Sequence, residues 1–178
     1  TKIGLYGGVT VHRIRATRDL PYHGVKAGTV GGWVESLLLG NGSPRIGEHA
    51  WIDGDAQVVN QGQVGDYAVV DGSALVSGWA QVGDRARVGD YAVVCGRALV
   101  GDYVQVGNYA VVGDYVQVGN YAVVGDYAQI DGYAKVGGDA KVGGWAQVGD
   151  YAQVDGYAQI DGYTRVGDYA KVGDYAVV

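Results

Sequence analysis

An aliphatic residue returns every six positions along most of this chain. From Ile46 onward each sixth residue is Ile or Val: Ile46, Ile52, Val58, Val64, Val70 and so on to Ile160, Val166, Val172 and Val178, 23 positions without insertion or deletion. From Ile52, the residue two places earlier is small and most often Ala, as in Ala50, Ala56, Ala68 and Ala74, with Val104, Val116 and Thr164 as larger exceptions. A helix with 3.6 residues per turn would smear this stripe around its axis. A short strand followed by a corner accommodates it. In Ala-x-Val the first and third side chains share a face, because strand side chains alternate. Gly-Asp or Asp-Gly fills most corners, and Val59-Asn60 is the one repeat corner without Gly. Corners need backbone angles that Gly reaches freely and that Asp or Asn tolerate.

A strand this short cannot bury its inward face alone. Coiling three units into a triangular turn of about 18 residues solves that, with each turn hydrogen-bonded as parallel strands to those above and below. The 132 residues from Gly47 to Val178 form 22 units, hence about seven turns and a prism about 35 Å long at roughly 4.8 Å per turn. A flattened twelve-residue turn is the alternative, prompted by the identical blocks 101–112 and 113–124. The spacing resembles the hexapeptide-repeat superfamily, whose motif runs aliphatic–Gly/Asp–x–x–small–x. That resemblance implies an all-β fold, a single-stranded left-handed parallel β-helix; the hand comes from the resemblance and not from the spacing.

Residues 1–45 do not keep the period. Val9, Val11, His12, Ile14 and Ala16 predict one or two short strands after a Gly7-Gly8 turn, Pro21 and Gly24 mark turns, and Thr29 to Val34 reads as an irregular first turn. The expected organisation is therefore an N-terminal β cap over 1–45 and a repeat helix over 46–178. The stretches Arg13 to Asp19, His23 to Gly28 and Gly31-Gly32-Trp33-Val34-Glu35 resemble the front of bacterial and prophage hexapeptide-repeat proteins. In those a short β cap precedes a long, uniform helix.

Composition agrees with a repeat. Gly makes up 33 of 178 residues and Tyr 15, while Phe and Met are absent, which excludes an ordinary mixed core. Two prolines exclude collagen. No apolar run of about 18 residues occurs, so no membrane-inserted helix is expected. The start, TKIGLYGG, lacks the apolar region of a signal peptide, so cytoplasmic synthesis is expected, with final location left open. Cys95 is the single cysteine and cannot form an internal disulfide. Residues 1–45 carry six basic and two acidic side chains, net +4, and residues 46–178 carry seven and seventeen, net −10. The acidic body argues against nucleic acid as a partner.

Many hexapeptide-repeat proteins are trimeric acyltransferases, with a catalytic His between neighbouring prisms and a protruding loop at the acyl-donor site. The resemblance implies that these features be sought. No loop interrupts 46–178, and of His12, His23 and His49 only His49 lies in the repeat. Its evident neighbour, Glu48, points elsewhere, so His49 reads as a surface residue and no catalytic residue is assigned. Cys95 reads as a tolerated corner substitution. The column Asp66, Asp84, Asp102 could hold calcium, but Asn120 and Gly138 interrupt it, so corner shaping is the expectation. No zinc spacing or phosphate loop occurs, and neither metal nor cofactor is expected. The few Thr form no rows of the kind that bind ice.

Aromatic residues dominate the outward corner positions: 13 of 22 are Tyr and two are Trp. One column holds Tyr91, Tyr109, Tyr127, Trp145 and Tyr163; a second holds Tyr115, Tyr133, Tyr151 and Tyr169; a third, with Tyr67, Tyr103, Tyr121, Tyr157 and Tyr175, is interrupted. Stacked rings would stabilise adjacent turns, and the columns are also candidates for lateral contacts with other prisms, a glycan or a protein. The chain ends in phase at Val178, which leaves a bare rung around Val172, Tyr175, Ala176 and Val178 as a candidate end-stacking surface. The reading that follows is a structural, self-associating solenoid, a head-to-tail filament subunit or rigid rod without catalytic activity. A trimeric acyltransferase-like enzyme and an aromatic-ridge binding module are the alternatives.

Overall fold

The computed structural model describes residues 2–3 and 8–178, the first two by backbone alone. Gly7 of the expected Gly7-Gly8 turn lies outside the described residues; Gly8 has a positive φ of 68°. The six-residue period becomes two-residue strands, from Trp51–Ile52 to Lys171–Val172, separated by corners. Each strand pairs in parallel with the strand one turn on: Trp51 with Val69, Gln57 with Leu75, Gln63 with Gln81. From Trp51 on, this register makes every turn three units long and excludes the twelve-residue turn. Three sheets result, two of seven parallel strands and one of ten that is parallel apart from its antiparallel N-terminal strands.

Burial follows the pattern in the sequence. The Ala and Val columns form one continuous core, with Ala92, Val94, Ala110, Val112, Ala128 and Ile130 wholly enclosed. Val104 and Val116, where most units place Ala, are also fully buried. The outward strand residues are Gln, Lys, Arg or Val, except for Trp51, Leu75 and Leu99. At the corners, glycine is needed where φ is positive and the turns touch. Gly96 has φ 67°, and a Cβ there would lie 2.5 Å from the Asp114 nitrogen.

The first sheet continues upward into the N-terminal segment. β1 (Lys2–Ile3) pairs antiparallel with β2 (Thr10–Arg15), which pairs antiparallel with β3 (Val30–Val34). β3 is itself the first rung, pairing in parallel through Val34 with Val58. That step is six residues longer than the step from Val58 to Val76. The surplus forms a loop between Val34 and Ile46, closed by Leu39 N–H to the Ser43 carbonyl and Arg45 N–H to the Leu37 carbonyl, both 2.9 Å. Leu37 and Leu38 are exposed on it. At its base the Arg45 side chain is buried, donates to the Ser36 carbonyl at 2.8 Å and lies 3.6 Å from Glu35. Burial works against the Arg45 charge and Glu35 supports it. Between β2 and β3, a single 3-10 turn, Pro21–His23, ends at Gly24 in the left-handed region and leans over the first corners of the helix.

Candidate active site

The corner at Gly47–Ala50 is closed by Ala50 N–H to the Gly47 carbonyl at 3.1 Å. It places His49 at one edge of the prism, beside the corner of the next turn. There the His49 amide donates to Asp66 Oδ1 at 2.6 Å, and His49 Nδ1 lies 3.0 Å from Oδ2 and 3.2 Å from Oδ1 of the same carboxylate. Both side chains are about one-third exposed. Burial raises the cost of the Asp66 charge, but the His49 amide, the His49 ring, the attraction between them and the Tyr67 amide together hold its carboxyl below the ordinary range. An ionised carboxylate only accepts, so Nδ1 carries the hydrogen. In the neutral ring Nε2 is then the basic nitrogen.

Neighbours fix the ring further. Tyr67 stacks on it with centroids 4.6 Å apart and planes 3° from parallel. Tyr22 meets Tyr67 edge-on at 5.4 Å. His23 Nε2 lies 2.7 Å from the His49 carbonyl; a carbonyl accepts, so that nitrogen is the donor. Glu48 is engaged away from the site by Arg18, at 2.8 Å through its carboxylate and 3.1 Å through its carbonyl. The site therefore unites the 3-10 turn with two successive helix corners. His12 stands apart on β2, exposed.

The edge below His49 has its own backbone geometry. Asp66, Asp84 and Asp102 donate their amides to the side-chain oxygens of Asp84, Asp102 and Asn120, at 2.7, 2.9 and 2.9 Å. The residues that follow, Tyr67, Arg85, Tyr103 and Tyr121, all have positive φ, between 57° and 66°. Elsewhere the left-handed residue is the second of the corner pair, as at Gly96 or Asp114. The ladder holds the bulky residues in a conformation that is costly for them. Among the described residues no group of three His, Cys, Asp or Glu could hold a metal ion. Cys95 is half-buried in its corner, and burial, with Asp114 nearby, pushes its thiol pKa up.

The aromatic candidates stand in stacks. Tyr91, Tyr109 and Tyr127 are spaced at 4.9 Å, Trp145 follows at 4.0 Å and Tyr163 at 6.2 Å. Tyr115, Tyr133, Tyr151 and Tyr169 follow one another at 4.9 to 5.1 Å. At the far end, Tyr175 stacks on Tyr157 at 5.1 Å, and Val172 packs on the core. The Ala176 carbonyl accepts from Gln159 N–H, and Val178 N–H donates to the Gln159 carbonyl at 3.0 Å.

No family model matches the chain, and no curated protein matches it in sequence. Among solved structures it is similar to the UDP-N-acetylglucosamine O-acyltransferase (LpxA) of Moraxella catarrhalis, with a TM-score of 0.60 at 15% identity, over 78% of this chain and 66% of that one. The fold is the left-handed parallel β-helix. Weaker likenesses are to LpxA of Acinetobacter baumannii (TM-score 0.42, 15% identity, 75% of this chain, 70% of that one) and to a putative acetyltransferase of Bacillus cereus (0.40, 16%, 75%, 70%). The chain spans just under two thirds of the Moraxella enzyme's length.

Two expectations are corrected. The inert filament subunit or rigid rod gives way, because the fold found here is one that an acyltransferase uses. The isolated surface His49 gives way to a His–Asp pair contributed by two adjacent turns. A loop also exists between Val34 and Ile46, ahead of the uninterrupted repeat, with Leu37 and Leu38 exposed on it.

Proposed function

We propose that this chain is an acyltransferase of the left-handed β-helix type, with His49 as general base and Asp66 as the group that orients it. The His49–Asp66 contact carries this reading. An acceptor hydroxyl or amine placed at His49 Nε2 gives up its proton as its oxygen or nitrogen attacks the carbonyl carbon of an acyl thioester. The C–S bond of the tetrahedral intermediate then breaks, the acyl group stays on the acceptor, and the proton passes from Nε2 to the departing thiolate. A positioned base of this kind is worth about 10²–10⁴ in rate. The likeness in fold to an acyltransferase supports the class of reaction. The exposed apolar loop residues Leu37 and Leu38 are the proposed contact for the acyl donor.

The chain works as a homo-oligomer in this proposal. His49 lies on a prism edge, open on one side, and a neighbouring copy packed on the face carrying the half-buried Val69 and Val123 closes the site. A trimer is the arrangement the hexapeptide resemblance implies. The test is thiol release from acetyl- and longer acyl-coenzyme A with a panel of sugar and amine acceptors. Release should fall about 10²–10⁴-fold in His49→Ala while circular dichroism remains that of the folded parent. Equal release by the variant, or none by the parent with any acceptor, counts against the assignment.

A further inference from the structure

The tyrosine columns carry a chemistry that acyl transfer does not use. Tyr115, Tyr133, Tyr151 and Tyr169 stack without a break, with ring planes 3° to 7° from parallel. The backbone holds these rings in register. Tyr133 N–H donates to the Asp150 carbonyl at 2.7 Å, Tyr151 N–H to the Asp168 carbonyl at 2.8 Å, and the Asp168 amide to Asp150 Oδ2 at 3.1 Å. Each ring covers a face of the next, while the ring edges stay open to water: Tyr133 and Tyr151 are each 48% exposed. The other column differs in one respect. Trp145 stands between Tyr127 and Tyr163, so the ring stacked above Tyr163 is a tryptophan, although Tyr163 is 83% exposed.

A phenol that gives up one electron and its hydroxyl proton becomes a radical. Its unpaired electron is shared between the oxygen and the ring carbons, including those next to the carbon that bears the oxygen. Two such radicals form a carbon–carbon bond through those neighbouring carbons. The hydrogen on each joined carbon then moves to the oxygen of the same ring, which restores both phenols. Two electrons and two protons leave in all, and hydrogen peroxide accepts them to give two waters. Ring centroids 4.9 to 5.1 Å apart are close to the separation in two directly joined phenols. Coupling therefore needs the rings to turn about their side-chain bonds but not the helix turns to move apart. Groups held side by side in this way react without a diffusive encounter.

We propose that the directly stacked tyrosines are sites of oxidative coupling, at which a one-electron oxidant supplied with hydrogen peroxide joins tyrosines of successive turns into dityrosine. The bond ties one turn covalently to the next, as a disulfide ties two segments of chain. Stacking on a second tyrosine, and not exposure, selects the residues that couple. The proposal is independent of acyl transfer, because Tyr133, Tyr151 and Tyr169 lie on a different edge of the prism from His49.

The experiment treats dilute full-length chain with a peroxidase and hydrogen peroxide. The product of single-chain mass is isolated, and its joined peptides are identified after cleavage before aspartate, which puts Tyr133, Tyr151, Tyr163 and Tyr169 on the separate peptides 131–138, 150–154, 161–167 and 168–173. That product should be lighter than the parent by two hydrogens per bond, with Tyr151 joined to Tyr133 or Tyr169. Tyr163 should be absent from the tyrosine pairs, although it is more exposed than the three that react. Tyr151→Phe keeps a ring in the stack and should lose both of these pairs, while dityrosine fluorescence from Tyr91, Tyr109 and Tyr127 persists. In denaturing urea the preference for pairs one turn apart should vanish. Absence of dityrosine from the single-chain product, Tyr163 paired as often as Tyr151, or the same pairs formed in urea overturns the proposal.

Discussion

His49 Nδ1 and Asp66 Oδ2 are 3.0 Å apart although they belong to different turns of the helix. The carboxylate also accepts the His49 amide, so one side chain fixes both the backbone and the ring of the residue above it. Asp66→Asn keeps an acceptor for the amide but removes the charge and alters the tautomer that the ring adopts. Acyl transfer in that variant should fall by about 10²–10⁴-fold, as when the orienting carboxylate of a triad becomes an amide. Circular dichroism should be unchanged. Rates equal to the parent would remove Asp66 from the mechanism.

The same contact sets a pH dependence of stability. The carboxyl of Asp66 sits below its ordinary value of 3.8 in the folded chain. Its contribution is therefore complete above that value and is lost as pH falls through the lower folded one. The urea midpoint of the parent should exceed that of Asp66→Asn at pH 6, and the gap should narrow as the pH falls below the ordinary carboxyl value of 3.8. A constant gap would mean that the carboxyl is not shifted, and a gap that widens in acid would mean a shift of the opposite sign.

The helix was legible because one physical requirement, two small inward side chains per six residues, is written without interruption from Ile46 to Val178. The site was not, for two reasons. The 18-residue period sets His49 in column with Tyr67. The His49 ring does stack there, but its hydrogen bond goes to Asp66, one residue short of the column. The signal in the sequence is a carboxylate 17 residues from the histidine, on the corner one turn on. The loop before Ile46 escaped because Leu37 to Ser43 carries no period. Only the register of Val34 against Val58 reveals six extra residues.

The aromatic stacks should matter for stability whatever they bind. Tyr109 lies 4.9 Å from both Tyr91 and Tyr127, with planes 2° and 1° from parallel. Tyr109→Ala removes two such contacts and should cost roughly 1–3 kcal/mol by urea denaturation. Tyr22→Ala removes edge contacts only, to His23 and Tyr67, and should cost less. A Tyr109→Ala loss below that of Tyr22→Ala would mean that the stacks contribute little.

Core positions should respond to lost volume. Ile130 is fully buried midway down the prism, and Ile130→Ala should cost about 2–5 kcal/mol. In a repeat fold that loss falls on one rung and its neighbours, so unfolding should become less cooperative as well as easier. A parent-like melting profile would contradict the close packing of that layer.

Glycines of equal rank in the repeat should differ sharply in what they tolerate. Gly96 has φ 67° and no room for a Cβ beside the Asp114 backbone, whereas at Gly107 the nearest atom to an added Cβ is Asp90 Oδ2, 3.5 Å away, and φ is not positive. Gly96→Ala must shift backbone against backbone as well as hold alanine in the left-handed region. It should lose about 1–3 kcal/mol. Gly107→Ala meets neither obstacle and reduces the freedom of the unfolded chain, so it should be neutral or stabilising by up to about 1 kcal/mol. Paired thermal melts decide the matter: similar losses at both sites would mean that the two kinds of corner are not conformationally distinct in solution.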